Sequence, residues 1–218
     1  ADIFAEGKYC IFTKGNRYIY GVGNFFINLV DDNNKAVLPL VMLDSNMYGD
    51  GGWFYSGFDC IHKDQTEWCM NKLTSLKNED ENIKAMAFFH MPVREFKEAY
   101  ERMKLGDNDV IYKHGSVGEK NDHFGISRFK GIFFNSAVDN GVIKWMFCGH
   151  DHLNILSLVY KGIQLTYGMS IDYLGYKGIE KQYTQRGGTL ITRKKDGSVS
   201  VKMVPLTSVV STKVSGVK

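Results

Sequence analysis

Nothing in the 218 residues approaches the run of about 20 apolar side chains that a membrane-spanning helix needs. The first residues, Ala1-Asp2-Ile3-Phe4, lack the basic head and apolar core of a secretory signal. No asparagine opens an N-x-S/T sequon, which disfavours a glycosylated secreted protein. Cys10, Cys60, Cys69 and Cys148 are widely spaced and form no C-x-x-C pair. Free thiols are the expectation, with a Cys60–Cys69 bridge as the alternative. Together these absences lean towards a cytoplasmic protein without fixing the compartment. A strong charge excess is missing too: the formal net charge is +3, and lysines such as Lys35, Lys97 and Lys181 are scattered. The one tight basic run, Arg193-Lys194-Lys195, reads as a solvated hairpin surface. Neither nucleic acid nor a membrane is therefore an expected partner.

What is present suffices for one sizeable core, since 44% of the residues are hydrophobic and 13% aromatic. Residues 17–30 alternate and are rich in aromatic and β-branched side chains, which predicts a strand. The turn Asp31-Asp32-Asn33-Asn34 leads into a near-continuous apolar run, 36–43, expected to be a strand buried on both faces. A Gly/Tyr-rich loop is expected over 45–61. Asp64-Gln65-Thr66-Glu67 reads as a capping box with Asp64 as N-cap, opening a helix that carries Trp68, Leu73 and Leu76 on one face.

The apolar run 83–89 predicts another buried strand, and Pro92 the first turn of a helix carrying Val93, Phe96, Tyr100 and Met103. Residues 105–124 read as a surface loop. A helix over 128–140 should end on a left-handed Gly141. A third apolar strand, 142–148, is followed by two hairpins, 155–167 and 189–204. Lys161-Gly162 and Asp196-Gly197 are their turns, the latter a two-residue turn. The fold class is therefore α/β, with a mixed sheet and a C-terminal β-meander. Residues 1–205 read as one domain and 206–218 as a flexible tail.

Three of the six histidines stand at the ends of apolar strands. His90 ends Ala85-Met86-Ala87-Phe88-Phe89, and His150 and His152 follow Lys144-Trp145-Met146-Phe147-Cys148. Strand ends are where α/β sheets gather functional groups, and neutral imidazole is a common ligand for zinc, iron and manganese. In an extended turn, His150 and His152 would point the same way, at one place or at two adjacent ions. Gly149 would supply the sharp bend, and Asp151 would orient a ligand or face solvent. The bland alternative is a set of hydrogen-bonded structural histidines, and that reading is preferred for His62, His114 and His123 in polar segments.

Phe88-Phe89-His90-Met91-Pro92 resembles the H-x-P segment of purple-acid-phosphatase-like metallophosphoesterases, in the calcineurin-type superfamily, and Phe147-Cys148-Gly149-His150-Asp151-His152-Leu153-Asn154 resembles their G-H-x-H motif. Leu43-Asp44-Ser45, Gln65-Thr66-Glu67-Trp68 and Gly162-Ile163-Gln164-Leu165 extend the resemblance over almost the whole chain. The resemblance implies a layered α/β/β/α sandwich and hydrolysis of a phosphate ester, small molecule or phosphoprotein, at a dinuclear centre of manganese, iron or zinc. By resemblance, His90 and His150 would bind one ion and His152 the other. Gly149, Asp151 and Asn154 would support them.

The family's D-x-H, G-D-x-x-D and G-N-H-[DE] motifs are absent. They precede, in the family, the segment with which this chain opens. The expectation is thus the C-terminal half of such a domain, inactive alone, whose partners would be the missing N-terminal half or a second copy in a homodimer. The alternatives are a non-catalytic binding domain derived from a phosphoesterase, and a structural zinc site closed by all three histidines. Tyr48, Trp53, Phe54, Tyr55 and His123 are candidates to line a pocket, and Asp172, Tyr173 and Tyr176 lie where the chain leaves the site.

Overall fold

The structure, a computed structural model, describes residues 2–50, 56–175, 177 and 186–209. Short helix α1 (Asp2–Ala5) precedes strands β1 (Phe25–Val30), β2 (Ala36–Met42), β3 (Tyr48–Asp50) and β4 (Ser56–Phe58). Then come α2 (Lys63–Glu79), β5 (Ala85–Phe88), α3 (Glu95–Lys104), β6 (Val110–His114), α4 (Phe133–Asn140) and β7 (Ile143–Cys148). Strands β8 (Ser157–Tyr160), β9 (Ile163–Tyr167), β10 (Gly187–Arg193) and β11 (Val199–Pro205) follow. None of the described helices is long and apolar enough to cross a membrane.

The apolar runs behave as their composition dictates. β2, β5, β7 and β9 are parallel neighbours at the centre of a seven-stranded mixed sheet ordered β1-β2-β5-β7-β9-β8-β6. Its edges are antiparallel, β1 on β2 and β6 on β8. Side-chain alternation divides the sheet into two faces. Val41, Ala85, Ala87, Met146 and Leu165 point into a core shared with Cys69 and Leu73 of α2, Phe96 and Ala99 of α3, and Phe133 and Ala137 of α4. A fully buried leucine such as Leu73 contributes about 1.5–3 kcal/mol over an exposed one. Leu38, Met86 and Phe147 point the other way, towards Ile191, Val199 and Val201 of the β10–β11 hairpin. Among the described residues, helices thus pack on one face of the mixed sheet and the hairpin on the other.

Several expectations change. Only the second half of 17–30 is a strand. In the first half the backbone donors form turns or reach carboxylates: Ile19 N–H donates to Asn16 O, Tyr20 N–H to Asp64 (2.7 Å) and Val22 N–H to Asp44 (2.7 Å). Asp64 is thus occupied inside the helix, and the N-cap is His62, whose backbone N–H donates to Gln65 Oε1 at 2.8 Å. The loop over 45–61 contains the β3–β4 pair, and 105–124 contains the edge strand β6. Pro92 precedes α3 by three residues, and α4 begins only at Phe133. Gly141 does cap α4 with φ +78°.

The two C-terminal hairpins belong to different sheets and are not one meander. Asp196-Gly197 lies in a longer turn: Gly197 N–H donates to Lys194 O and Lys194 N–H to Ser198 O, with only Gly197 left-handed. This is a type I turn closed by a glycine bulge. All four thiols are free, Cys69 being fully buried in α2. The expected tail begins with a 3-10 turn, Leu206–Ser208, and its residues 210–218 lie outside the described ones.

β6 carries a titratable weakness. His114 Nε2 is buried without a hydrogen-bond partner among the described residues, and burial depresses the pKa of the ring. The unfolded chain therefore binds this proton more readily. His114 supports the fold fully above its unfolded pKa, about 6.5, and less as pH falls through the lower folded value. Urea midpoints of the wild type should drop between neutral and acidic pH, and His114→Leu should make the drop shallower. Parallel profiles would contradict this account.

Candidate metal centre

Strands β2, β5 and β7 run the same way, so their carboxyl ends meet at one edge of the sheet, the usual place for function in a parallel sheet. Those ends carry Asp44-Ser45, His90 and Gly149-His150. Backbone bonds carry the pairing past the strands: Leu43 N–H donates to Phe88 O, Phe89 N–H to Phe147 O and Gly149 N–H to His90 O. The buried Ser45 hydroxyl accepts both His90 N–H (3.1 Å) and Met91 N–H (2.8 Å). It pins the turn that presents His90.

The His90 and His150 rings stand 5.4 Å apart, nearly perpendicular at 85°. A β-carbon on Gly149 would come within 3.2 Å of His90 Nδ1. Close approach of the ring, rather than a positive φ at position 149, is what glycine provides there. The left-handed residue of the turn is His150 itself, with φ +72°, a strained conformation for a non-glycine residue. That dihedral breaks the two-residue alternation expected of an extended turn. His150 packs edge-on against Phe58 (4.5 Å) and beside Gly125, while His152 turns to Asp172, with Nδ1 2.8 Å from Oδ2.

Asp172 is therefore the carboxylate that orients a histidine. Its own oxygens accept Leu174 N–H and Gly175 N–H, and the Leu174 bond above all holds its pKa below the usual carboxylate range, with His152 adding to it. With a proton on Nδ1, Nε2 is the acceptor nitrogen of the His152 ring. Burial is the main cause that depresses the pKa of both His90 and His150. At His90 the neighbouring His152 adds to it, and at both rings the Asp151 carboxylate opposes it. Neutral rings are the form that ligates a metal.

Asp151 neither faces solvent nor orients a ring. It is buried, and its carboxylate accepts Gly125 N–H through both oxygens (3.0 Å each) and the Tyr167 hydroxyl (2.7 Å). Asn154, fully buried, accepts Gly118 N–H and Glu119 N–H and donates to His123 O. Both residues fasten the segment 118–125 to the turn. Among the pocket candidates, Tyr48 stacks on Phe58 at 5.7 Å and lines, with Tyr20, Asp44 and Asn46, a cavity of ≈ 520 Å³ beside His90. His123 is exposed, and Tyr173 takes the Arg186 guanidinium over its ring at 4.7 Å. Trp53, Phe54, Tyr55 and Tyr176 lie outside the described residues.

The three histidines do not close on one point. Among the described residues, the group of metal-type donors whose ligand atoms all lie within 4.8 Å of one another is Asp59, Cys60 and His62. A compact three-histidine zinc site is thus not what this structure holds. Sequence reasoning missed Phe58, Ser45 and Tyr167 as neighbours of the site, which they reach at His150, His90 and Asp151. These contacts span 16 or more residues, and no local spacing announces them.

No protein-family profile matches the chain, and no solved structure matches it. Among curated proteins, it is 29% identical over 172 residues to the "Probable inactive purple acid phosphatase 29" of Arabidopsis thaliana, covering 73% of this chain and 41% of that protein. It is 24% identical over 181 residues to the "Probable inactive purple acid phosphatase 28" of the same plant, covering 75% and 40%. The "Probable inactive purple acid phosphatase 14" matches at 23% over 150 residues, covering 65% and 35%. The chain spans about two fifths or less of the length of these relatives. Its curated relatives are thus purple acid phosphatase-like proteins, and inactive is part of each of their names.

Proposed function

We propose that this chain is derived from a metallophosphoesterase, carries the imidazole part of a dinuclear metal centre, and does not hydrolyse phosphate esters by itself. The observation that carries the reading is the joined strand ends: Gly149 N–H on His90 O, with the two rings 5.4 Å apart. The donor chemistry fits manganese, iron or zinc. Burial favours the neutral form of His90 and His150, and Asp172 orients the His152 ring through Nδ1. His90 and His150 would serve one ion and His152 the other, which agrees with a trio that does not close on one centre. Held there, such ions would supply Lewis-acid activation of water and of a phosphoryl group. The residues present do the rest: they set the position of each ring, and burial favours the unprotonated form of His90 and His150.

D-x-H, G-D-x-x-D and G-N-H-[DE] do not occur in the 218 residues, so the bridging carboxylate and the asparagine ligand have no counterpart. The word inactive in the names of the relatives supports the same conclusion. Residues 1–205 are then the C-terminal part of one layered α/β/β/α domain. The β1 edge, with Leu29 and Val30 exposed, is where the missing strands or a second copy would add. A complete site would act on a phosphate-ester small molecule or a phosphoprotein.

With manganese or zinc added, the chain should release no nitrophenol from p-nitrophenyl phosphate beyond the protein-free blank. Turnover that disappears in His150→Ala would overturn the non-catalytic part. Calorimetry should show a weak metal-binding increment that is lost in His90→Ala/His150→Ala. An unchanged isotherm in that variant would sink the ligand assignment.

A further inference from the structure

The link 59–62 between β4 and α2 holds three donors of different chemistry. Both carboxylate oxygens of buried Asp59 lie 2.9 Å from His62 Nε2, and the Cys60 thiol lies within 4.8 Å of the two. The imidazole is clamped by Tyr20, stacked at 3.9 Å and 7°. The backbone is fixed as well. Cys60 N–H donates to Asp59 Oδ1, His62 N–H to Gln65 Oε1, and Asn46 Nδ2 to Cys60 O. A cavity of ≈ 470 Å³, lined also by Phe129 and Lys130, opens on this link. Two carboxylate oxygens aimed at one ring nitrogen mark a point that a proton occupies in the free protein and that a cation could take.

We propose that Asp59, Cys60 and His62 form a second metal site, selective for a zinc-type cation, with its fourth position open to that cavity. Thiolate, imidazole and one carboxylate match the tetrahedral preference of zinc, and three protein ligands leave room for water or a small anion. The thiolate disfavours magnesium and manganese, which separates this site from the all-imidazole one. Carboxylate and thiolate neutralise a divalent ion, so its place at the positive end of α2 carries no net charge conflict. In the free protein, burial first and then Asp59 push the Cys60 pKa up and keep the thiol protonated. Binding moves the ring proton from His62 Nε2 to Nδ1, in place of the Gln65 N–H that the helix cap brings to the ring, and releases the thiol proton to buffer.

Cobalt(II) reports on this site alone, because a thiolate ligand adds a near-ultraviolet charge-transfer band that imidazoles lack. Titration of the full chain should give a saturable one-to-one band that zinc abolishes. The band should vanish in Cys60→Ser, weaken by about tenfold or more in affinity in His62→Ala, and survive in His90→Ala/His150→Ala. Circular dichroism and a thermal melt establish that Cys60→Ser is folded. If it is not, proton release counted in buffers of different ionisation enthalpy decides on the wild type. One thiol proton per zinc supports the site, and none refutes it. No band with the wild type, or a band retained in Cys60→Ser and lost in Cys10→Ser, overturns the proposal.

Discussion

Replacing Asp151 with alanine should destabilise the protein by about 3 kcal/mol, seen as a fall in urea midpoint at unchanged slope. The carboxylate is the acceptor for Gly125 N–H and the Tyr167 hydroxyl, and Tyr167 is fully buried. Removing it strands two buried donors, each of which costs roughly 1–3 kcal/mol when left unmade. Asp151→Asn keeps an acceptor and should cost less. Tyr167→Phe removes one stranded donor, so the double variant Asp151→Ala/Tyr167→Phe should lose less than the sum of the single losses. Strict additivity would mean that the hydroxyl and the carboxylate do not act on each other. A midpoint that hardly moves in Asp151→Ala would mean that the segment 118–125 is held by Asn154 alone.

Gly125→Ala should abolish the contribution of His150 to metal binding while leaving the helices intact. The new methyl would fall inside the His150 ring, with Asp151 Oδ1 only 2.8 Å away, so neither neighbour has room to yield without moving the turn. His150 already sits at φ +72°, and the escape open to it is rotation away from His90. Overpacking of this kind costs about 1–3 kcal/mol, less than the loss of a ligand costs the site. Proton NMR gives the check. Low manganese(II) should broaden the His90 and His150 imidazole signals of the wild type. In Gly125→Ala the His150 signal should stay sharp, with far-ultraviolet circular dichroism unchanged. Equal broadening in both proteins would show that the ring position does not matter.

The parts of the fold that were legible in the sequence are those whose signal is local. Runs such as Ala85-Met86-Ala87-Phe88 must be buried on both faces, and Gly141 needs no partner to turn left-handed. β6 was not legible: only Val110 of its five residues is buried, so an edge strand looked like a loop. The helix start was misplaced because Asp64, a good cap by type, is drawn away by Tyr20 N–H from 44 residues upstream. At the candidate site the identity of His90, His150 and His152 was readable from strand ends, but their aim was not. One positive φ breaks the expected alternation, and Asp172, against His152, lies 20 residues on in a segment without periodicity. A supporting role for Asp151 was readable from its motif position, but a partner such as Gly125, 26 residues back, was not.

On the segment 118–125, the clasp made by Asp151 and Asn154 reads main-chain groups: N–H of Gly118, Glu119 and Gly125, and C=O of His123. Lys120, Asn121 and Asp122, enclosed by those four points, give it no side chain. Asn121 and Asp122 turn left-handed there, with φ +58° and +52°, and Asp122 holds Lys104 of α3, so Lys120 is the position that can be rewritten while the path stays fixed. Diversity introduced there would alter what the rim of the histidine turn offers a visitor, without loosening the turn itself.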